Sequence, residues 1–437
     1  MRTFLILIRC LMSCLCLVRT CLSEWISILL QAVPLRSQAT FVELLCGCLV
    51  SPEGWVTRVI SAITRRKHWT TYYKLIERGH VRTLRLSRAL FALIRHVLPQ
   101  DTLTLVLDDT LVMRHSESAP GATLHFDHAR KKNRPAYVQA QCWVTLGVSV
   151  PGRGGARSVL PVLSRVVPKT GNRNKLAIAL TLIRALAPVF SGKIRVLMDA
   201  WFMRARLIQP LLNRGMQIIG QVRRDTALFL PPTPRTGRGR PPKYGDKLTA
   251  QAVEALQKTE REVFIYGEMR RVRVRSALAR ARFLKGTPVR AVWCELYDDK
   301  KAQWSAPKLL LATETTLTAE EVIGLYSRRW GIEPLFHNLK RWWGMNNLWQ
   351  QSRQALELWM MIRSCAWCLT QLLAFAVEEN FPISAIAPWR TGTPVTAGLM
   401  AQWLRVEYAG VAFRDGLDRK SRKFTFPKGR GDMRLRL

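Results

Sequence analysis

The spacing of apolar residues predicts helices in the first quarter of the chain and strands directly after it. Between residues 51 and 99, apolar side chains recur every three or four positions, which predicts amphipathic helices. Residues 102–107 read TLTLVL, a strand pattern, and the acidic Asp108 follows them directly. We therefore expect a helical N-terminal region followed by a core that contains a sheet.

The predicted core has the order strand, strand, strand, helix, strand, helix, strand. Its strands are predicted at residues 102–107, 137–150, 158–167, 193–198 and 217–222, and its helices at 176–186 and 203–212. Asp108 follows the first strand and Asp199 follows the fourth. Helices that alternate with strands in this way predict an α/β fold with a mixed sheet.

A second strand-rich stretch follows a segment rich in Pro and Gly at residues 231–245. Strand patterns at 262–266, 270–275, 289–296 and 309–312 precede helical patterns at 318–325, 330–342 and 356–377. Arg and Lys residues lie between the aromatic positions of the first helical patterns, which suits DNA binding. The predicted domains are a helical DNA-binding region at 1–100, a core at 101–225 and 316–380, a β-rich insertion at 226–315 and a basic tail at 381–437. A helical cap on the core explains residues 51–99 equally well.

The charge of the chain points to a polyanionic partner. Its 437 residues include 68 Lys and Arg against 30 Asp and Glu, which gives a formal charge of +38. This excess is spread along the whole sequence, whereas a membrane-surface protein concentrates it in one helix or tail. Nucleic acid is the expected partner, and a basic ribosome-associated or membrane-surface protein is the alternative.

The apolar N-terminus and the ten cysteines favour a cytoplasmic protein. Arg9 and Arg19 interrupt the early apolar runs, which fall short of the roughly 18 to 20 residues that a spanning helix needs. We predict a buried or partner-facing helix rather than a signal peptide, and no membrane partner. The cysteines are too irregularly spaced for a disulfide scaffold. Core thiols, rather than zinc ligands, are predicted at Cys46, Cys48, Cys365 and Cys368.

Three carboxylates have the placement that phosphodiester chemistry needs. Two divalent cations roughly 4 Å apart activate a water or 3′-hydroxyl and stabilise the leaving oxygen, and carboxylates hold such ions. Asp108 and Asp199 follow strands, and Glu333 lies in a helical pattern, so the three side chains can meet in space. A strand-end Asp is more often a turn or cap residue, so residue types alone leave the choice open.

The segment 326–340 adds cationic and aromatic side chains to this set. At about 100° per residue, one stripe of a helix would collect Tyr326, Arg329, Glu333 and Lys340. Pro334 disrupts a helix interior, so the stripe holds best from Glu333 onward. An ordinary amphipathic helix with a solvated charged face is the alternative.

The spacing of these four residues resembles the Y-R-E-K signature of bacterial insertion-sequence DDE transposases that carry a β-rich insertion between the second Asp and the Glu. Segments 108–110 (Asp-Asp-Thr) and 199–202 (Asp-Ala-Trp-Phe) also resemble that family, and the likeness covers residues 103–349. It implies an RNase H-like fold in which Asp108, Asp199 and Glu333 hold two Mg²⁺ or Mn²⁺ ions. Asp109 is the alternative first ligand.

The same resemblance implies double-stranded DNA as the partner. Tyr326, Arg329 and Lys340 would contact transposon-end DNA, where Arg binds a phosphate with two donors and Lys acts as a point charge. The expected function is cut-and-paste transposition: a homodimer binds terminal inverted repeats, cuts the ends and joins them to target DNA. A bacterial, nucleoid-associated protein is expected. The alternatives are an RNase H-like nuclease without strand transfer and a catalytically silent DNA-binding derivative.

The positions of the Trp residues leave open whether cleavage passes through a DNA hairpin. Some members of the family place a Trp just before the last strand of the insertion, where it receives a base flipped from a DNA hairpin. Here Lys308 stands at that position and the nearest Trp is Trp304, so a hairpin intermediate stays undecided. Base stacking or ordinary helix packing would each explain Trp330, Trp342, Trp343 and Trp349.

Arg238 and Arg240 belong to an Arg-Gly-Arg-Pro segment that resembles a hook for narrow minor grooves. We include both among the candidate DNA-binding residues. A basic flexible loop between core and insertion is the favoured interpretation of this segment.

Overall fold

The N-terminal region consists of five helices. The structure is a computed structural model that describes residues 2–127, 135–152, 157–169, 172–233, 240–377, 381, 383–390 and 394–430. The helices are α1 (Arg2–Leu30), α2 (Leu35–Val50), α3 (Val56–Ser61), α4 (Trp69–Arg78) and α5 (Thr83–Val97). In α1, Leu15, Val18 and Leu22 recur at helical spacing and are fully buried. Helix α1 therefore has a face in the core from Cys14 onward, whereas the side chains before Cys14 lie outside the described part of the chain.

The core follows with the predicted order of strands and helices. Its elements are β1 (Thr102–Met113), β2 (Ala122–Phe126), β3 (Tyr137–Pro151), β4 (Arg157–Val166), α6 (Asn172–Leu186), β5 (Lys193–Met198), α7 (Ala205–Leu212) and β6 (Gln217–Val222). Strand β2 was not predicted, because its five residues carry too short a pattern. A 3-10 turn at Ala187–Val189 ends α6.

Strand pairing in the core is mixed. Strand β1 lies between β3, which is antiparallel to it, and β5, which is parallel to it. Strand β6 continues the parallel part beside β5, and β4 pairs with the far edge of β3. The order β4-β3-β1-β5-β6 is that of an RNase H-like core, so the predicted fold class is confirmed.

Asp108 lies within β1, not at its end. The predicted strand at residues 102–107 is too short, because β1 continues to Met113 through its antiparallel pairing with β3. The parallel pairing with β5 does end at Leu107, opposite Met198. Asp108 and Asp199 therefore each follow the last residue of that parallel pairing.

The strand-rich stretch extends the core sheet and does not form a separate one. Its elements are β7 (Leu228–Phe229), α8 (Ala250–Glu254), β8 (Thr259–Ile265), β9 (Glu268–Ala281), β10 (Thr287–Asp298), β11 (Gln303–Trp304) and β12 (Lys308–Ala312). A 3-10 turn at Arg282–Leu284 joins β9 to β10. Strand β12 pairs antiparallel with β6, so the sheet runs on through β10 and β9. The predicted domain boundaries stay predictions.

The chain returns from β12 through α9 (Ala319–Ser327) and α10 (Ile332–Arg341), with a 3-10 turn at Arg328–Gly331 between them. A capping box of Thr318 and Glu321 starts α9. The single helical stripe predicted for residues 326–340 is thus wrong, because the 3-10 turn separates two helices. Pro334 lies in the first turn of α10, where a missing backbone donor costs little.

Helix α11 joins the N-terminal helices to the sheet. The remaining elements are a 3-10 turn at Met345–Asn347, α11 (Arg353–Ala376), α12 (Ile383–Ile386), α13 (Ala397–Tyr408), a 3-10 turn at Phe413–Gly416, β13 (Leu417–Asp418) and β14 (Lys423–Phe424). Helix α11 contacts α2, α4, α5, α13 and β4. The N-terminal helices therefore cap the core, and whether they also bind DNA stays a prediction.

By length and composition α11 is apolar enough to cross a membrane, but 89% of its apolar window is buried inside the protein. It is a core helix of this fold. Among the residues that the structure describes, the predicted core cysteines are buried free thiols and no group of three or more His, Cys, Asp or Glu residues could hold a metal ion.

Candidate active site

The end of the parallel pairing between β1 and β5 brings two aspartates together. Asp199 begins a turn in which its Oδ1 accepts hydrogen bonds from the backbone N–H groups of Trp201 and Phe202, at 3.0 and 3.1 Å. Asp108 Oδ1 accepts one from the N–H of Asp109 at 2.8 Å. Both carboxylates are thus held in place by local backbone donors.

Arg329 links Asp108 to Glu333. Its Nη1 donates to Asp108 Oδ2 at 2.7 Å, and its Nη2 donates to Glu333 Oε1 at 3.0 Å. The side chains of Arg329 and Asp108 are each 15% exposed, whereas that of Glu333 is 51% exposed. The 3-10 turn before α10 makes this possible, because it directs Arg329 towards β1 while Glu333 follows on the first turn of the helix.

Burial and the charges of neighbouring carboxylates raise the pKa values of Asp108 and Asp199. Burial, together with the negative charge of Asp199, raises the pKa of Asp108 to about 7, although Arg329 opposes the shift. Burial also raises the pKa of Asp199, against the hydrogen bond from the backbone of Phe202. Two buried carboxylates that disfavour simultaneous ionisation form a place where added positive charge is stabilising.

Tyr326 completes this cluster, whereas Lys340 lies farther along α10. The Arg329 guanidinium lies 5.7 Å from the centre of the Tyr326 ring, and burial raises the pKa of Tyr326 to about 12. Lys340 lines a groove of about 920 Å³ that Asp109 and His337 also line. Three residues of the predicted set are therefore in contact, and the fourth lines the adjoining groove.

Asp109 has different partners from Asp108. Lys175, on α6, pairs with the Asp109 carboxylate, and Cys142 Sγ donates to Asp109 Oδ2 at 3.3 Å. The Lys175 ammonium also lies 3.8 Å from the centre of the Trp201 ring. Sequence reasoning missed Lys175, because nothing in the pattern of α6 distinguishes it from other basic residues.

The donor set suits a hard divalent cation. Asp108, Asp199 and Glu333 offer only oxygen ligands, which Mg²⁺ and Mn²⁺ prefer. Arg329 lies between two of these carboxylates, and within the described residues the acids do not converge into a metal cluster in this arrangement. A metal ion here would therefore require Arg329 to move away from at least one carboxylate.

Other predicted residues lie outside this cluster. Arg240 is exposed in the segment between β7 and α8, and Arg238 lies outside the described residues. Trp304 packs against Tyr297 on β10, with ring centres 5.1 Å apart. The predicted Trp cluster is divided: Trp343 is 2% exposed and belongs to the core, whereas large exposed surfaces remain on Trp330, Trp342 and Trp349.

The mixed sheet has an RNase H-like strand order, with two mostly buried aspartates at neighbouring strand positions and a glutamate that Arg329 joins to Asp108. Residues 29–281 match the family described as DDE superfamily endonuclease, which is more than half of the chain. The protein therefore belongs to this family. The matched range includes Asp108 and Asp199 and ends before Glu333.

Comparisons with curated proteins and with solved structures do not narrow the function further. No curated protein matches the chain. Among solved structures, the chain is similar to one titled as a cryo-EM structure of the piggyBac transposase synaptic complex with hairpin DNA. The two are 14% identical over 84% of this chain and 70% of that one, with a TM-score of 0.38. A likeness this loose carries no argument about function.

Proposed function

We propose that this DDE superfamily endonuclease is a cut-and-paste transposase of a bacterial insertion sequence, acting in the cytoplasm on nucleoid DNA. It binds terminal inverted repeats, cuts at the ends and joins the freed 3′-hydroxyls to target DNA. Its catalytic residues are Asp108, Asp199 and Glu333. The branch of the family is that with the Y-R-E-K signature.

The observation that carries this proposal is the ion-paired cluster around Arg329. Its guanidinium joins Asp108 to Glu333, and Asp199 lies close enough for its charge to raise the pKa of Asp108. Acids buried at this cost are uncommon where they only stabilise a fold. A basic protein with such a cluster suits a phosphodiester substrate, because the cation that holds the acids can also bind a phosphate.

When bound, two Mg²⁺ or Mn²⁺ ions would supply an activated nucleophile and stabilise the leaving oxygen. Asp108 and Asp199 would hold them from the sheet and Glu333 from α10. Arg329 would then exchange a carboxylate for a DNA phosphate, with Tyr326 packed beside it. Lys340 would neutralise a phosphate in the adjoining groove. Arg238 and Arg240 would contact DNA farther away.

The decisive experiment is cleavage of DNA that carries the element's own ends, with Mg²⁺ or Mn²⁺. Asp108→Ala, Asp199→Ala and Glu333→Ala should each abolish cutting while the protein still binds the ends. Asp225→Ala is the matched control, because Asp225 is an exposed surface acid that is 69% accessible. Binding of the ends by the wild type without cutting under either metal would favour the silent DNA-binding derivative instead.

Two finer parts of the proposal need separate assays. Strand-transfer products should appear when cut ends are offered to target DNA, and their absence with cleavage intact would favour a nuclease without strand transfer. A homodimer should form on paired ends, because coupled excision needs both ends held together. Sedimentation of the protein with end DNA measures that stoichiometry, and one protein chain per pair of ends would contradict the dimer.

A further inference from the structure

A stacked pair of tryptophans lies at the border of the groove beside the candidate active site. The rings of Trp55 and Trp349 have centres 6.1 Å apart and planes inclined by 23°. Trp55 is 41% exposed and Trp349 is 49% exposed. Large exposed aromatic surface costs solvation free energy, so a rigid exposed pair usually marks a binding surface.

The two tryptophans belong to two loops that buried hydrogen bonds tie together. Arg363, which is 1% exposed, donates to the backbone carbonyls of both Pro52 and Trp343. Asn347 Nδ2 donates to the carbonyl of Glu53 at 2.7 Å. These bonds join the loop before α3 to the loop after α10.

Two glycines allow the same loops to approach backbone to backbone. Gly54 has φ +96 and Gly344 has φ +65, and a Cβ on either one would collide with the other loop. Trp359 Nε1 donates to the carbonyl of Gly54 at 2.9 Å. The stacked pair is therefore preorganised by the core, and a ligand that stacks on it loses little to loop ordering.

The groove next to this pair carries cationic side chains and reaches the neighbour of Asp108. Trp349 lines it together with His337, Lys340 and Arg341, and two acids, Asp109 and Asp127, line it as well. Buried Arg114 donates to the carbonyl of Asn346 at 2.9 Å and so holds this lining residue of the groove in place. Cationic side chains beside an aromatic face are the usual elements of a site for a single nucleic-acid strand.

We propose that Trp349, supported by Trp55, is a stacking site for an unpaired nucleobase of the DNA strand that occupies this groove. The base stacks on the indole of Trp349, and Lys340 and Arg341 neutralise the adjoining phosphates. This inference rests on the proposed function, because it assumes that DNA enters the groove. It assigns to the protein a preference for ends with unpaired nucleotides over fully paired ends.

The test measures binding by the full chain in a chelator, so that no cutting occurs. Two probes share one duplex: the first is blunt, and the second carries a short unpaired extension that contains 2-aminopurine. One stacked base is worth about 1–3 kcal/mol, so the extension should tighten binding roughly tenfold, within about five- to 150-fold. The 2-aminopurine fluorescence should fall on binding, because stacking quenches it.

Trp349→Ala should remove the gain that the extension gives over the blunt duplex, with both probes measured on the same variant, whereas Trp349→Phe should keep part of that gain. Trp389→Ala is the matched control, because Trp389 is 78% exposed and does not line the groove. An abasic extension offered to the wild type tests the same point without a variant, and it should bind like the blunt duplex.

An extension that gives no gain in the wild type, or a gain that survives both Trp349→Ala and abasic substitution, would overturn the stacking site. In either case the blunt duplex still binds, so the proposed function stands. If neither probe binds, even at low salt, the proposed function fails and the stacking site fails with it.

Discussion

The acids on the two sides of β1 have different partners. Asp108 contacts Arg329, which also holds the half-exposed Glu333, and it lies near Asp199. Asp109 pairs with Lys175, which is 11% exposed and also contacts the Trp201 ring. Consecutive residues of a strand project to opposite faces, so the two carboxylates have different contacts, although the charge of Asp109 still contributes to the raised pKa of Asp108 and of Asp199.

The pairs Asp108–Arg329 and Asp109–Lys175 differ in whether a metal ion could replace the cationic side chain beside the carboxylate. Arg329 bridges Asp108 and Glu333, so a metal ion held by these carboxylates would take over its charge and leave the guanidinium to bind a phosphate. Lys175 pairs with Asp109, which also accepts a hydrogen bond from Cys142, and the Lys175 ammonium lies against the Trp201 ring. We therefore expect Asp108 to belong to the reaction and Asp109 to belong to the scaffold.

The largest expected effect is on cleavage. Asp108→Asn should reduce the rate of end cleavage on the order of a thousandfold, equal to about 4 kcal/mol, because a neutral amide holds a divalent cation poorly. Asp109→Asn should leave cleavage within roughly tenfold of the wild type. Rates from end-labelled DNA measure both variants. The reverse order of the two would make Asp109 the first ligand.

The next effect is on stability as a function of pH in metal-free protein. Burial and Asp199 raise the pKa of Asp108 to about 7 from its ordinary 3.8, so the folded state holds a proton that the unfolded state has lost between these values. Stability from this group is present below pH 3.8 and is lost as pH rises through 7, by up to about 4 kcal/mol.

Urea unfolding at a series of pH values checks this expectation. The wild type should lose stability relative to Asp108→Asn as pH rises through this range. Saturating Mg²⁺ should reduce the difference, because the cation stabilises the ionised carboxylate. Parallel curves for the two proteins in chelator would contradict the raised pKa of Asp108.

A smaller effect is expected from Lys175. Lys175→Met leaves the Asp109 carboxylate buried without its cation and should lower the free energy of unfolding by about 3 kcal/mol. Adding Asp109→Asn to this variant should restore most of the loss, since the unpaired charge is gone. Mg²⁺ should not restore it, and rescue by Mg²⁺ would mean that Asp109 binds the metal.

The smallest effect concerns the groove that begins at Asp109. Lys340→Ala should weaken DNA binding roughly fivefold for all sequences and lower the slope of log affinity against log salt by about one, because one phosphate contact is lost. Binding titrations at several salt concentrations measure both quantities. Lys301→Ala is the control, because Lys301 is 67% exposed in the turn between β10 and β11. An unchanged slope would remove Lys340 from the DNA path.

Local sequence patterns were enough to predict the order of most elements and to place two candidate acids, Asp108 and Asp199, directly after strand patterns. The pattern of apolar residues predicted β3, β4, β5 and β6, because the positions of each strand that face the core must be apolar. Two short elements could not be predicted correctly from their sequence patterns. Strand β2 was missed, and the 3-10 turn at Arg328–Gly331 was predicted as α-helix, because its residues fit either conformation.

The sequence by itself determined the α/β class, the basic charge and the candidate set of Asp108, Asp199 and Glu333. Only the tertiary structure decided that β12 pairs with β6, that Arg329 reaches Asp108 across 221 residues and that Lys175 holds Asp109. Periodicity reports which face of an element is buried, and it carries no information about which distant element covers that face. Contacts between distant parts of the chain depend on packing of the whole core, so they appear only when the fold is complete.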